Sequence, residues 1–181
     1  MESMARYRHW ENRGVPADTV FITSTVLDWV RAFDRPDIKD AVAKHILAHC
    51  RRTKSNLSAF VVMSHHVHLL LRLSKDVDVS QFMASFKRRT TDIVRPMLTI
   101  SKEREFDLQR GLNGNTFWKR SFRSVVVTNP KAFWVKVRYI HANPVLAGLA
   151  QRAEDYRWSS AWMFEGCLWN DETGLDLSVP W

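Results

Sequence analysis

Two histidines one residue apart, His66 and His68, stand in the segment FVVMSHHVHLLLRL, residues 60–73. In a β-strand, side chains two apart share a face, with Cα atoms about 6.6 Å apart. Both rings can then converge on one ion at metal–nitrogen distances of about 2.1 Å. That face would also carry Leu70 and Arg72. Two ordinary surface histidines have the same spacing, and this segment alone does not separate the readings. A second group stands in VRYIHANP, residues 137–144. At about 100° per helical residue, Phe133, Val137 and Ile140 centre a buried stripe, with Tyr139 and Asn143 one turn apart at its margin. A phenol there is a nucleophile candidate and a neutral amide oxygen a candidate third ligand. An interfacial tyrosine packing its ring and wetting its hydroxyl is the plainer alternative. His45 and His49, four apart, have no further ligands near them in sequence and are read as ordinary helix residues.

These groups need elements to position them. DTVFITSTVLDWV (18–30) is rich in β-branched and apolar residues and reads as a first strand. DRPDIKDAVAKHILAHCRR follows with Asp34 as a candidate cap, Pro36 in the first turn, and Ile38, Val42 and Ile46 at four-residue steps, an amphipathic helix. LSAFVVM and HHVHLLLRL are two strands broken at Ser64 and His65, a predicted hairpin. VSQFMASFKRRTTDIVRPML places Val79, Phe82, Met83, Phe86, Ile93, Val94 and Met97 on one stripe, with Lys87, Arg88 and Arg95 largely off it. After the loop RGLNGN, FWKRSFRSVVV (117–127) gives further strand material. The last helix opens at Asn129 and Pro130 and is predicted to end near Asn143, since the residue before Pro144 resists the α region. Strand, helix, two strands, helix, strand, helix predicts an α+β fold with an antiparallel sheet.

At 181 residues, 45% hydrophobic and 25% charged, the chain reads as one globular domain, 1–181, with a core at about 19–162 and an acidic C-terminal tail at about 170–181. No apolar run approaches the ~20 residues that span a bilayer, so no membrane partner is expected. The N-terminal stretch lacks the apolar core of a signal peptide, and Cys50 and Cys167 form no disulfide framework; a cytoplasmic protein is expected. Lys and Arg exceed Asp and Glu by 27 to 19, and a net charge of +8 points to a polyanionic partner.

The segments VVMSHHVHLLLRL, FMASFKRRTT, FWKRSFRSVVV, VRYIHANPVLAGL and YRWSSA, in that order, resemble the REP-associated tyrosine transposases, a branch of the single-tyrosine HUH-type transposases. The resemblance runs from about Thr19 to Trp162. It implies a ferredoxin-like, HUH-type fold with a single sheet layer and packed helices, and nucleoid-associated work on DNA. It implies His66 and His68 as metal ligands, Asn143 as the polar residue completing the metal site, and Tyr139 as the nucleophile. The implied cofactor is a divalent metal, Mg²⁺ or Mn²⁺, and two imidazoles with an amide lead us to expect Mn²⁺ to serve at least as well. The implied partner is single-stranded DNA with foldback hairpins, of the kind found in repeated extragenic elements, bound by a monomer or homodimer. Cleavage and rejoining through a 5′-phosphotyrosine is the expected reaction. Lys87, Arg88, Arg89, Lys119, Arg120 and Arg123 are expected to contact phosphates, with Phe117, Trp118 and Phe122 interleaved as stacking candidates or core residues. The chain departs from the family where the usual Met-Pro-Asn is replaced by Met63-Ser64-His65, which adds an imidazole beside the first ligand.

Two rival readings remain. One is a DNA-hairpin-binding protein of the same fold without catalysis. The other is a hydrolase with a water nucleophile, which needs further ligands; the nearest carboxylates, Asp76 and Asp78, lie past the strand's end. Tyr156, in YRWSSA, is the reserve nucleophile but lacks an amide one turn later, and Trp158 of the same segment is expected to be buried.

Overall fold

The computed structural model describes residues 14–98 and 117–164; the predicted loop at 110–115, the acidic tail and Cys167 lie outside them. Four strands, β1 (Thr19–Thr25), β2 (Asn56–Val62), β3 (His66–Arg72) and β4 (Arg123–Val126), form one antiparallel sheet in the order β2-β3-β1-β4. Three α-helices among the described residues, α1 (Pro36–Arg52), α2 (Val79–Leu98) and α3 (Pro130–Leu146), pack on it. The predicted α+β class, single sheet layer and β2–β3 hairpin are what the structure has. None of the described helices is long and apolar enough to cross a membrane.

Side-chain alternation sorts the sheet's two faces. Val20 and Ile22 of β1 and Val67, Leu69 and Leu71 of β3 join Ile38, Val42 and Ile46 of α1 and Phe82, Met83 and Phe86 of α2 in one buried cluster. Phe21, Ala59, Val61 and Leu70 form a second cluster with Phe133, Val137 and Ile140 of α3. Burying each such side chain stabilises the fold by about 1.5–3 kcal/mol. Because β3 is covered on both faces, it reads as the unbroken run Leu69-Leu70-Leu71. Its register is what matters for function. Thr25 pairs with His66, Thr23 with His68 and Phe21 with Leu70, so both histidines lie on the α3 face. A slip of one residue would turn them into the α1–α2 core.

Four expectations are corrected. Helix α1 starts one residue later than Asp34 would allow: Pro36 takes the first helical position, where its fixed φ and missing N–H cost nothing, which makes Arg35 the N-cap. Asp34 instead accepts from Arg31 Nε at 2.8 Å. Helix α3 runs through Pro144 to Leu146. Only one intrahelical bond is at stake so near the end, and the turn is closed by Ala147 N–H to Asn143 O at 3.0 Å and by Gly148 at φ 67°. At the other end of α3, Asn129 caps as predicted, accepting from Ala132 N–H at 2.9 Å. Strand β4 covers only Arg123–Val126, because the chain from Phe117 to Phe122 crosses the end of β1 irregularly, with a single bridge between Val26 and Trp118. Trp158 is half-buried, not buried, its indole N–H donating to Asp40 at 2.8 Å.

Candidate active site

The β1–β3 ladder and α3 bring four of the predicted residues to one cleft of about 460 Å³: His66, His68, Tyr139 and Asn143. Thr23, Thr25, Trp29, Lys119 and Arg123 line it as well. The ring of Tyr139 lies 5.3 Å from that of His68, edge to face, and the two imidazoles are 4.7 Å apart. Phe21 underlies the group, stacked on His68 at 5.5 Å and edge-on to Tyr139 at 5.7 Å. These three rings fix one another, yet Tyr139 stays 47% exposed, so its phenol is reachable from solvent.

Each histidine is held differently. His68 Nδ1 lies 2.8 Å from Thr23 Oγ1, which leaves Nε2 free of that bond. His66 Nδ1 is buried with no hydrogen-bond partner among the described residues, a costly arrangement unless another partner completes it. Burial, then the neighbouring His65, lowers the His66 pKa to about 4. Burial, then His66, with a smaller contribution from Lys136, takes His68 down to about 3 against the opposing hydrogen bond with Asn143. Both rings are therefore neutral near pH 7, the form that offers a lone pair to a cation. The Asn143 amide donates from Nδ2 to the Tyr139 carbonyl at 2.6 Å, across one turn of α3. Among the described residues no three His, Cys, Asp or Glu side chains cluster as ligands. Two neutral imidazoles, one carrying an orphaned nitrogen, with a tethered amide nonetheless form a donor set that suits a divalent cation.

The predicted cations separate. Lys119 and Arg123 line the cleft. Arg88 and Arg120 line a second, basic hollow of about 390 Å³ that shares Lys119 with the first. Lys87 borders that hollow, but its ammonium donates to the carbonyls of Lys119, Arg120 and Ser121 at 2.8, 3.4 and 3.3 Å. Burial lowers its pKa to about 8. Arg89 lines neither hollow, and its charge bears weakly on His45 of α1. Of the three aromatics, Phe117 and Trp118 are core, and Phe122 lines the cleft half-buried. Tyr156 is buried, its hydroxyl donating to Val62 O at 2.8 Å, and burial pushes its pKa above the ordinary phenol range. His45 and His49 are buried between α1 and α2, stacked on Phe86 and edge-on to Phe82.

Sequence reasoning missed Thr23, Trp29 and Lys136. The period-2 alternation of β1 puts Thr23 and Phe21 on one face, but only pairing with β3 shows that His68 is the threonine's partner. Lys136, one turn before Tyr139, lies with its ammonium 4.6 Å from the centre of the Phe21 ring.

A family model for IS200-like transposases matches residues 29–143. Against curated protein sequences the chain finds no match. Among solved structures, a REP-associated tyrosine transposase bound to a REP hairpin superposes with a TM-score of 0.67 at 18% identity, over 97% of this chain and 94% of that one. At such identity the likeness speaks to the fold. A candidate transposase of Deinococcus radiodurans R1 gives 0.49 at 16% identity, over 72% of this chain and 94% of that one.

Proposed function

From the premise that this chain belongs to the IS200-like transposase family, we propose that it cleaves and rejoins single-stranded DNA beside foldback hairpins through a 5′-phosphotyrosine on Tyr139. The observation that carries this reading is the convergence of an exposed phenol, two neutral imidazoles and an amide in one cleft with a basic rim. The hairpin bound to the REP-associated transposase of like fold supports the choice of substrate.

In the proposed reaction the Tyr139 oxygen attacks the scissile phosphorus in line. The Tyr Oη–P bond forms, the P–O3′ bond breaks, the phenolic proton leaves to solvent, and the departing 3′-oxygen takes up a proton. The phosphodiester energy is kept in the protein–DNA link, so rejoining at a second 3′-hydroxyl needs no nucleotide cofactor. A divalent cation held by His66, His68 and Asn143 would polarise the phosphate and offset its negative charge. Thr23 holds the His68 ring; Asn143 ties its amide to the turn bearing the nucleophile; Lys119 and Arg123 draw the phosphate backbone into the cleft. Arg88 and Arg120 extend the same positive surface, Lys87 supports it from beneath, and Arg89 is left as a more distant contributor.

The test is to incubate the purified protein with labelled single-stranded DNA carrying foldback hairpins from the flanks of its own gene, with Mn²⁺, and to run a denaturing gel. A slow, SDS-stable adduct that vanishes in Tyr139→Phe and with chelator is expected. Tight binding over several flanking sequences with no adduct would overturn the catalytic reading in favour of a hairpin-binding protein.

A further inference from the structure

We propose that Trp29 is a stacking platform for an unpaired nucleobase beside the scissile phosphate, with Lys119 taking that nucleotide's phosphate. The proposal rests on the reading of single-stranded DNA as substrate.

Trp29 lies in the 3₁₀ turn Leu27–Trp29 between β1 and α1, and lines the same cleft as Tyr139 and the two histidines. Its side chain is 59% exposed, although an indole is among the largest apolar surfaces a chain can bury. The backbone beneath it is equally unusual. Asp28 and Trp29 both have positive φ, 51° and 59°, a region that non-glycine residues rarely adopt and bulky ones least. The turn is nevertheless tightly tethered, by Val26 N–H to His65 O at 2.8 Å, Leu27 N–H to Phe117 O at 3.0 Å and Val30 N–H to Leu27 O at 3.2 Å. Strained backbone that holds a large apolar ring largely exposed in an open cleft gains little burial in return, and such outliers concentrate at ligand-binding sites.

The surroundings indicate the ligand. His65 meets the indole edge to face at 5.2 Å and orients it. Lys119 holds its ammonium 3.9 Å from the ring centre, while its backbone N–H is bound to Thr25 O at 2.9 Å. An electron-rich ring and a mobile point charge, both on anchored backbone, match a nucleotide's two chemical ends. In the complex the ammonium leaves the ring face for the phosphate and the base stacks on the π-face in its place. Only an unpaired base can present its face in this way, so the pair favours single strands over duplex. Every base has a π-face, so the platform tolerates sequence, and purines, which stack more strongly, are favoured.

The experiment measures binding by fluorescence anisotropy in the Tyr139→Phe background, where no covalent step intervenes. The probe is a labelled hairpin with a single-stranded flank, together with a series carrying one abasic site at each flank position. Trp29→Ala is expected to bind about tenfold more weakly, Trp29→Phe to keep most of the affinity, and one abasic position to cost the parent about tenfold but Trp29→Ala nothing further. Trp29→Gly relieves the positive φ, so it should lose binding while its melting temperature holds or rises, which a merely structural tryptophan would not do. Parental affinity in Trp29→Ala, or an abasic penalty undiminished by it, overturns the proposal. Abasic coupling that persists although wild-type protein forms no covalent adduct supports the platform and overturns only the tyrosine chemistry. A parent that binds no single strand overturns both.

Discussion

Thr23 and His68 face each other across the β1–β3 ladder, with Thr23 Oγ1 2.8 Å from His68 Nδ1. The contact fixes the ring's orientation and leaves Nε2 as the nitrogen without that partner. Supporting hydrogen bonds of this kind typically change metal affinity by about 10–100-fold. Thr23→Val keeps the side chain's shape and removes its hydrogen bond. Calorimetric titration with Mn²⁺ should show affinity falling about tenfold, and adduct formation should recover at saturating Mn²⁺. Unchanged affinity would mean that packing against Phe21 alone orients the imidazole.

Tyr156 and Tyr139 make opposite predictions. The Tyr156 hydroxyl is sequestered on the Val62 carbonyl, so Tyr156→Phe leaves a buried acceptor unsatisfied and should cost about 1–3 kcal/mol in denaturant unfolding. Adduct yield at a temperature where the variant is folded should match wild type. An adduct lost with the fold intact would move the nucleophile to Tyr156.

The parts legible in the sequence are those written in local periodicity. The apolar steps of α1 and α2, the hairpin break at Ser64 and His65, and the Asn129–Pro130 opening of α3 are all short-range signals. His66 and His68 were legible as a same-face pair for the same reason. Long-range pairing was not. That Thr23 meets His68 depends on β1 joining β3, 45 residues away. That Lys87 spends its ammonium on three carbonyls depends on a crossing segment more than 30 residues downstream. The end of α3 was misjudged because the restriction before proline is a bias, and at Pro144 tertiary packing outweighs it: Pro144 is itself buried.

Lys87 and Arg120 should separate in a salt titration. Lys87 is a strut under residues 119–121, whereas Arg120 is exposed in the basic hollow. Each phosphate contact on a single strand contributes about 0.7 to the slope of log affinity against log salt. Arg120→Gln should therefore lower that slope by about 0.7 with melting unchanged. Lys87→Met should lower the melting temperature while leaving the slope nearly as it was. A slope change in Lys87→Met equal to that in Arg120→Gln would place its ammonium on the DNA.

His49 gives the protein a predictable weakness to acid. Its Nε2 is bonded to Phe82 O at 3.1 Å and its Nδ1 to Arg52 at 2.7 Å, the pattern of a neutral ring donating from one nitrogen and accepting at the other. Burial, then the facing His45, with Arg52 adding to them and the Phe82 carbonyl opposing, lowers its pKa from 6.5 to about 4. The unfolded chain then binds the extra proton first. Unfolding free energy should be flat in this respect above about pH 6.5 and fall as pH drops from 6.5 towards 4, by on the order of 1–2 kcal/mol at pH 5 from this ring. His49→Gln keeps a donor and an acceptor without a titrating group, so urea unfolding of the variant between pH 7.5 and 4.5 should show a shallower decline. The buried His45, also lowered by desolvation, keeps that decline from vanishing. An identical pH profile in the two proteins would mean that the His49 ring takes up its proton at the same pH in the folded and unfolded chain, with the Arg52 contact broken.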